Sequence, residues 1–375
     1  MSSPHPPETG ASRNRVEILD LLRMVAVLAV VLFHYGFRGA AADGFTAISL
    51  PDLHWFAKYC DFGVQLFFVI SGFVIAYSAE GRTATRFAVA RVARIYPAFF
   101  LCMTLTFLLT VAIGAPRFQT TFAQWLANLF IVSPALKQPF MDGAYWSIVY
   151  EITFYGWVAL FLATGHFRRH IELIIVSWMA ISMLNEAVLH SGILLRLFLT
   201  NQSGFFAAGV LLYEIYTGRR TLTVMLLLVL ATVTSIGQAL DNAQWVRDHY
   251  QVALDGRVTA SLCVAAIGAV ALALRVRRVP LPPAIVLAIG GMTYPMYLLH
   301  QHIGYMLLNR IEGAASPAIL VLLATATIAA LSWVIWRYFE RPAQKQMKAA
   351  LTYAAELAAP LAIRVRALVV GARAT

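Results

Sequence analysis

The chain reads as an all-α membrane protein, a polytopic bundle of about ten transmembrane helices with both termini cytoplasmic. Three observations lead there. Of the 375 residues 60% are hydrophobic and only 13% charged, about half the ~25% charged content of an ordinary soluble domain. Apolar runs of roughly 20 residues, the length that crosses a bilayer, recur along the whole sequence. Lys and Arg gather in alternate loops, as they do where loops stay in the cytoplasm.

The hydropathy pattern, averaging +0.72, predicts spans over about 17–36, 62–80, 95–114, 144–163, 171–189, 192–216, 221–240, 252–274, 284–308 and 316–338. The apolar stretch 122–133 is too short to cross, and is expected to lie on the membrane or at the outer mouth. With an inside N-terminus, the inner loops carry clusters: Arg82, Arg86, Arg91 and Arg94; Arg168 and Arg169; Arg219 and Arg220; Arg275, Arg277 and Arg278. The outer segments carry scattered single cations such as Arg38, Lys58, Arg117 and Arg196. Residues 1–14 are polar and Pro-rich and are expected to be a disordered tail. Residues 15–342 form the membrane domain, and 343–375 a cytoplasmic tail, interfacial or frayed, with no assigned function. The first apolar run continues into a full span without a cleavage-type exit, so no cleavable signal peptide is expected.

The net charge of +11 is mainly topology signal; it does not point to nucleic acid, though part of it can meet anionic lipid or an anionic cofactor. Cys60, Cys102 and Cys263 show no metal-ligand or disulfide spacing, so neither a metal nor a disulfide framework is expected.

Ionisable residues inside spans are costly unless paired or hydrated, which makes each a site candidate. In the first span Arg23 and His34 are separated by about 1,100° of helical rotation, roughly 20° net, so they share a face about 16 Å apart along the axis. Asp20, one turn before Arg23, is positioned to hold it. Otherwise Arg23 snorkels and His34 sits among headgroups. The second span carries Gln65 and the pair Ser71-Gly72, readable either as a site or as small-residue packing. Arg91 and Arg94 stand one turn apart at the inner mouth of the third span. They either anchor the helix or offer two guanidinium forks to phosphate oxygens. The fourth span opens on Tyr145 and Trp146, with Ser147 and Glu151 one turn apart on one face. In the ninth, Pro295 is expected to kink the helix, and Tyr297 and His300 share a face. His302 is better read as packing near the exit.

Depth orders these groups. His34 and His300 lie roughly 26 Å and 24 Å above the inner ends of their spans, and Ser147 and Glu151 reach roughly 5–10 Å down from outside. The arginines lie at the inner side. An anion site inside and an acid/base cluster outside, joined along one helix face, suit an extended molecule with a phosphate head and a thin reactive arm.

LDLLRMVAVLAVVLFH, GVQLFFVISGFVI, RVARIYP, YWSIVYEITFY, TYPMYLLHQ and WRYFERP follow one another from residue 19 to 342. In this order they resemble the acyltransferase-3 family of integral membrane acyltransferases, which includes O-antigen, exopolysaccharide and peptidoglycan O-acetylases. The resemblance implies acyl-CoA, usually acetyl-CoA, as a donor used from the cytoplasm. It implies a bacterial inner-membrane location and a hydroxyl of a cell-surface or lipid-linked saccharide as acceptor. It makes Arg23 and His34 the family's arginine, ten residues, histidine element, with His34 the leading catalytic candidate and Arg91 and Arg94 the inner arginine pair.

On this reading His34 acts as general base or carries the acyl group, with Glu151 or His300 orienting it or relaying a proton. Arg23, Arg91 and Arg94, with Ser71 and Gly72, hold the donor, and Tyr145, Trp146 and Ser147 meet the acceptor. The family often has glycines at Leu21 and Met24, an Asp at Gln65 and a second acid at Ile152, which leaves more weight on Glu151. No SGNH hydrolase-like domain accompanies these motifs, so the chain finishes the transfer itself or hands the acyl group to a separate transferase. A transporter or flippase is the rival class, since intramembrane Arg, Glu and His occur there too, but no inverted repeat supports it. A macrolide or lipid acceptor is the rival within the enzyme reading.

Overall fold

The computed structural model describes residues 16–276 and 278–371; the expected disordered tail 1–14 lies outside them. Among the described residues there is no strand, and nine helical segments are long and apolar enough to cross a membrane. The ninth expected span, 284–308, is also helical, but its continuous part Pro283–Leu299 is too short to be one of the nine.

In chain order the helices are α1 (Glu17–Phe33), α2 (Phe62–Ala79), α3 (Ala84–Ile113), α4 (Phe122–Asn128), α5 (Trp146–Ala163), α6 (Ile171–Leu184), α7 (Gly192–Phe198), α8 (Ser203–Tyr216), α9 (Leu222–Tyr250), α10 (Gly256–Ala273), α11 (Pro283–Leu299), α12 (His302–Arg310), α13 (Pro317–Val334) and α14 (Arg341–Gly371). The starts follow local chemistry. Thr83, Thr121 and Thr221 accept from the backbone N–H three residues on, capping α3, α4 and α9. Pro283 and Pro317 occupy first-turn positions, where a missing N–H costs nothing. Large apolar side chains such as Val111, Leu222 and Leu322 face outward, the arrangement a lipid solvent selects.

At the centre is α2, 78% buried over its apolar window. It gets there because glycines bring backbones together. A Cβ on Gly72 would lie 2.2 Å from the Phe206 carbonyl oxygen, and one on Gly209 2.1 Å from that of Val69. Gly63 plays the same part against Ala26 of α1. Gly72 therefore serves helix packing; it does not line the cavity described below.

Two expected continuous spans are broken. The span 192–216 is α7 and α8, parted at Leu199, whose φ of 52° is left-handed. Non-helical backbone at this depth survives only where protein satisfies it. Here Gln238 of α9 donates to the Thr200 carbonyl and to Ser203 Oγ, and accepts from Gly204 N–H. The span 284–308 is α11 and α12. Its break falls at His300–Gln301, not at Pro295, which α11 passes through. At the other end Pro342 does not stop the chain. A π-turn over Ile335–Glu340 leads directly into α14, and that wider turn relaxes the clash a proline ring makes with the carbonyl four residues back. The 122–133 stretch is the short α4, whose Trp125 donates to Thr104 of α3.

Gly209→Leu should open the α2–α8 seam and cost at least about 1–3 kcal/mol of stability. Gly237→Leu, on an exposed face with nothing within 4 Å, should not. Thermal unfolding of the two detergent-purified variants decides this, and equal midpoints would contradict it.

Candidate active site

The site assembles where two helices leave α-geometry together. The end of α1 widens into a π-turn, His34–Arg38, as often happens at functional positions. Opposite it, α11 ends at Leu299 and the chain breaks before α12. His34 Nδ1 lies 2.8 Å from the Val30 carbonyl oxygen, and His300 Nδ1 2.7 Å from that of Tyr297. A carbonyl has no hydrogen to give, so each neutral ring carries its proton on Nδ1. His300 Nε2 is then a bare acceptor 3.2 Å from His34 Nδ1. His34 keeps its own Nε2 lone pair for chemistry. The ring centres are 4.8 Å apart and both side chains are buried.

Neighbouring tyrosines lock the pair by exchange. Tyr35 donates to the His300 carbonyl at 2.5 Å, and Tyr305 to the His34 carbonyl at 3.3 Å. Asp142, fully buried, accepts from Ala144 N–H and His302 N–H, both at 2.8 Å. It thereby ties the turn before α5 to the first residue of α12. His302 packs on Phe45 and Phe118, as its packing reading had it.

A cavity of about 490 Å³ leads toward this pair between α1, α2, α3, α5, α11 and α14, within the ~300–1,000 Å³ of ligand sites. Arg23, Arg91, Arg94 and Arg341 line it, and toward the histidines its wall includes Ser147 and Tyr297. These two share a hydrogen bond of 2.7 Å, and the Tyr297 ring is 5.4 Å from that of His300. The histidines stand one layer beyond the lining. In the wall, Ser71 donates to Glu151 at 2.9 Å.

Several expected placements change. Glu151 bonds Ser71 and neither histidine; His300 is the group that touches His34. Tyr145 is fully buried against Phe99, and Trp146 packs edge-on to Phe68 and Tyr150. Neither lines the cavity, and Trp146 is partly exposed. Arg23 keeps its expected partner Asp20 at 3.0 Å. Arg94 is not free: it pairs at 2.5 Å with Glu340, whose side chain is completely buried. Arg91 lies 5.9 Å from the Phe87 and Tyr155 ring centres, and its buried Nε has no hydrogen-bond partner among the described residues.

Sequence reasoning passed over Glu340, Arg341, Asp142, Tyr35 and Tyr305. The first two lie in WRYFERP, a segment quoted as a motif without a role. Nothing in the sequence marks Tyr35 and Tyr305 as partners, because each reaches a backbone group on another helix.

The profile of the acyltransferase-3 family, described as an acyltransferase domain, matches residues 16–337. The chain belongs to that family, and it is a multi-pass membrane acyltransferase. No curated protein and no solved structure matches it.

Arg94→Ala should leave the Glu340 carboxylate buried without its cation. The loss should fall at the lower end of about 3–5 kcal/mol, because 40% of the Arg94 side chain is exposed. Adding Glu340→Gln should restore part of it. A double-mutant cycle on thermal unfolding checks this, and simple additivity would remove the pair from the account.

Proposed function

We propose that the protein moves an acyl group, in the first instance acetyl, from acyl-CoA to a hydroxyl of a cell-surface or lipid-linked saccharide in the bacterial inner membrane. The observation that carries this is the His34–His300 hydrogen bond one layer behind the Ser147–Tyr297 wall of a cavity lined by four arginines. The residues suit the donor: cationic side chains at one end of a narrow, mostly apolar channel, and an unpartnered guanidinium nitrogen on Arg91 among them.

In the proposed reaction His34 Nε2 takes the proton from the acceptor hydroxyl as its oxygen attacks the thioester carbonyl. A C–O bond forms, the C–S bond breaks, and the proton passes from His34 to the leaving thiolate. While His34 is cationic, its Nδ1–H points at His300 Nε2 and the Val30 carbonyl. Both are acceptors already in position, so the imidazolium is stabilised without rearrangement. His300 thus orients His34 and fixes its tautomer. The Tyr297 hydroxyl, with Ser147, forms the last polar wall before the histidines and is suited to guide the acceptor or the carbonyl oxygen. Glu151 with Ser71 acts within the channel. A separate transferase downstream is a candidate partner for final delivery to the cell surface.

His34→Ala should lower transfer by at least about 10²–10⁴-fold while the protein still inserts and folds. His300→Gln, which loses the bare acceptor nitrogen, should reduce kcat more than it changes KM. The assays are thiol release from acetyl-CoA by the reconstituted enzyme and mass spectrometry of surface glycans from expressing cells. Wild-type acylation by a well-folded His34→Ala variant would sink the assignment.

A further inference from the structure

The four arginines that line the cavity are not equivalent. Arg23 is held by Asp20 at 3.0 Å and Arg94 by Glu340 at 2.5 Å. Arg91 and Arg341 have no ion pair among the described residues. Each lies near aromatic rings instead: Arg91 by Phe87 and Tyr155, and Arg341 5.4 Å from the Trp336 ring centre. A guanidinium supported on a ring is oriented without using its N–H donors, whereas one paired with a carboxylate has spent part of its fork.

The support beneath Arg341 is built in. Trp336 lies against α11 at Gly291, where a Cβ would come within 1.9 Å of the indole Nε1. The neighbouring Glu340 ties the start of α14 to α3. It receives Arg94, and Gln344 Nε2 donates both to its Oε1 at 2.6 Å and to the Arg94 carbonyl at 3.2 Å. The start of α14 is therefore held to α3 in a fixed register, with Arg341 and Gln344 in the lining of the cavity.

We propose that Arg91 of α3 and Arg341 of α14 form a two-sided clamp for the phosphate groups at the nucleotide end of the donor, and that Arg94 is a positioning residue that sets α14 through Glu340. This rests on the donor reading above and changes its arginine pair: the two uncommitted cations come from different helices. Both guanidinium groups line the same cavity from different helices, and two uncommitted forks suit bidentate charge-assisted hydrogen bonds to phosphate. It also gives α14 a binding role in place of that of a tail.

The test compares two donors for the full-length enzyme in lipid nanodiscs. Acetyl-CoA carries the phosphates; S-acetyl-pantetheine has the same arm and thioester but none. Arg341→Ala and Arg91→Ala should each raise KM for acetyl-CoA about 10- to 100-fold, the worth of one charged hydrogen bond, with kcat little changed. KM for S-acetyl-pantetheine should stay within about twofold of wild type. Arg341→Lys, which keeps the charge and loses the fork, should fall between. An unchanged KM for acetyl-CoA, or an equal rise for both donors, would overturn the clamp. Equilibrium binding of coenzyme A to His34→Ala, with and without Arg341→Ala, separates this from the reaction itself. Arg341-dependent binding without any wild-type turnover would keep the clamp and remove the transfer. Turnover indifferent to Arg341 would keep the transfer and remove the clamp.

Discussion

A polar group held away from water must find its partner inside the protein, and leaving one unmatched costs several kcal/mol in a hydrocarbon surrounding. The hydrogen bond between His34 and His300 meets this demand in a way that organises the rest. Each imidazole gives its Nδ1–H to a carbonyl of its own helix, and the two rings then meet edge to face across α1 and α11. Regular helices would not bring them there. The π-turn at His34 and the break at His300–Gln301 alter the paths of both backbones at the same level. Tyr35 and Tyr305 then bond the carbonyls of the two histidines, each across to the other helix.

The same demand explains the other irregular places. Where α7 and α8 part, Gln238 serves three backbone and side-chain groups at once. Where Pro342 would interrupt a helix, a π-turn takes up the strain and delivers Glu340 to Arg94. Asp142 joins a loop to the start of α12 with two accepted N–H bonds. Glycine seams about α2 supply the rigidity against which these departures are held. Irregular backbone and buried polar residues therefore coincide; the breaks at His34 and His300 and the π-turn before Pro342 border the histidine pair and the cavity, whereas the α7–α8 break stands apart from both.

Charge is divided along the cavity in a way that suits group transfer. Cations line its mouth, two of them neutralised by Asp20 and Glu340 and two left to aromatic support. At the far end the one carboxylate near the histidines among the described residues, Asp142, is engaged by the Ala144 and His302 N–H groups, and Glu151 is held by Ser71 in the wall.

The sequence by itself determined the class, the helical spans, the family and which residues were too polar to be idle. These are local or near-local properties: twenty apolar residues in a row, loop cations, Arg23 and His34 on one helix face, Asp20 one turn from Arg23. The tertiary structure decided the pairings. It brought His300 rather than Glu151 to His34, matched Arg94 to Glu340 across 246 residues, packed Tyr145 and Trp146 against neighbouring rings and spent Gly72 on a helix crossing. The physical reason is that helical periodicity states which residues share a face, while the neighbour that face meets depends on breaks and wide turns in other helices. The breaks at Leu199 and His300 and the wide turn before Pro342 are stabilised by distant side chains, so no window of the sequence contains them.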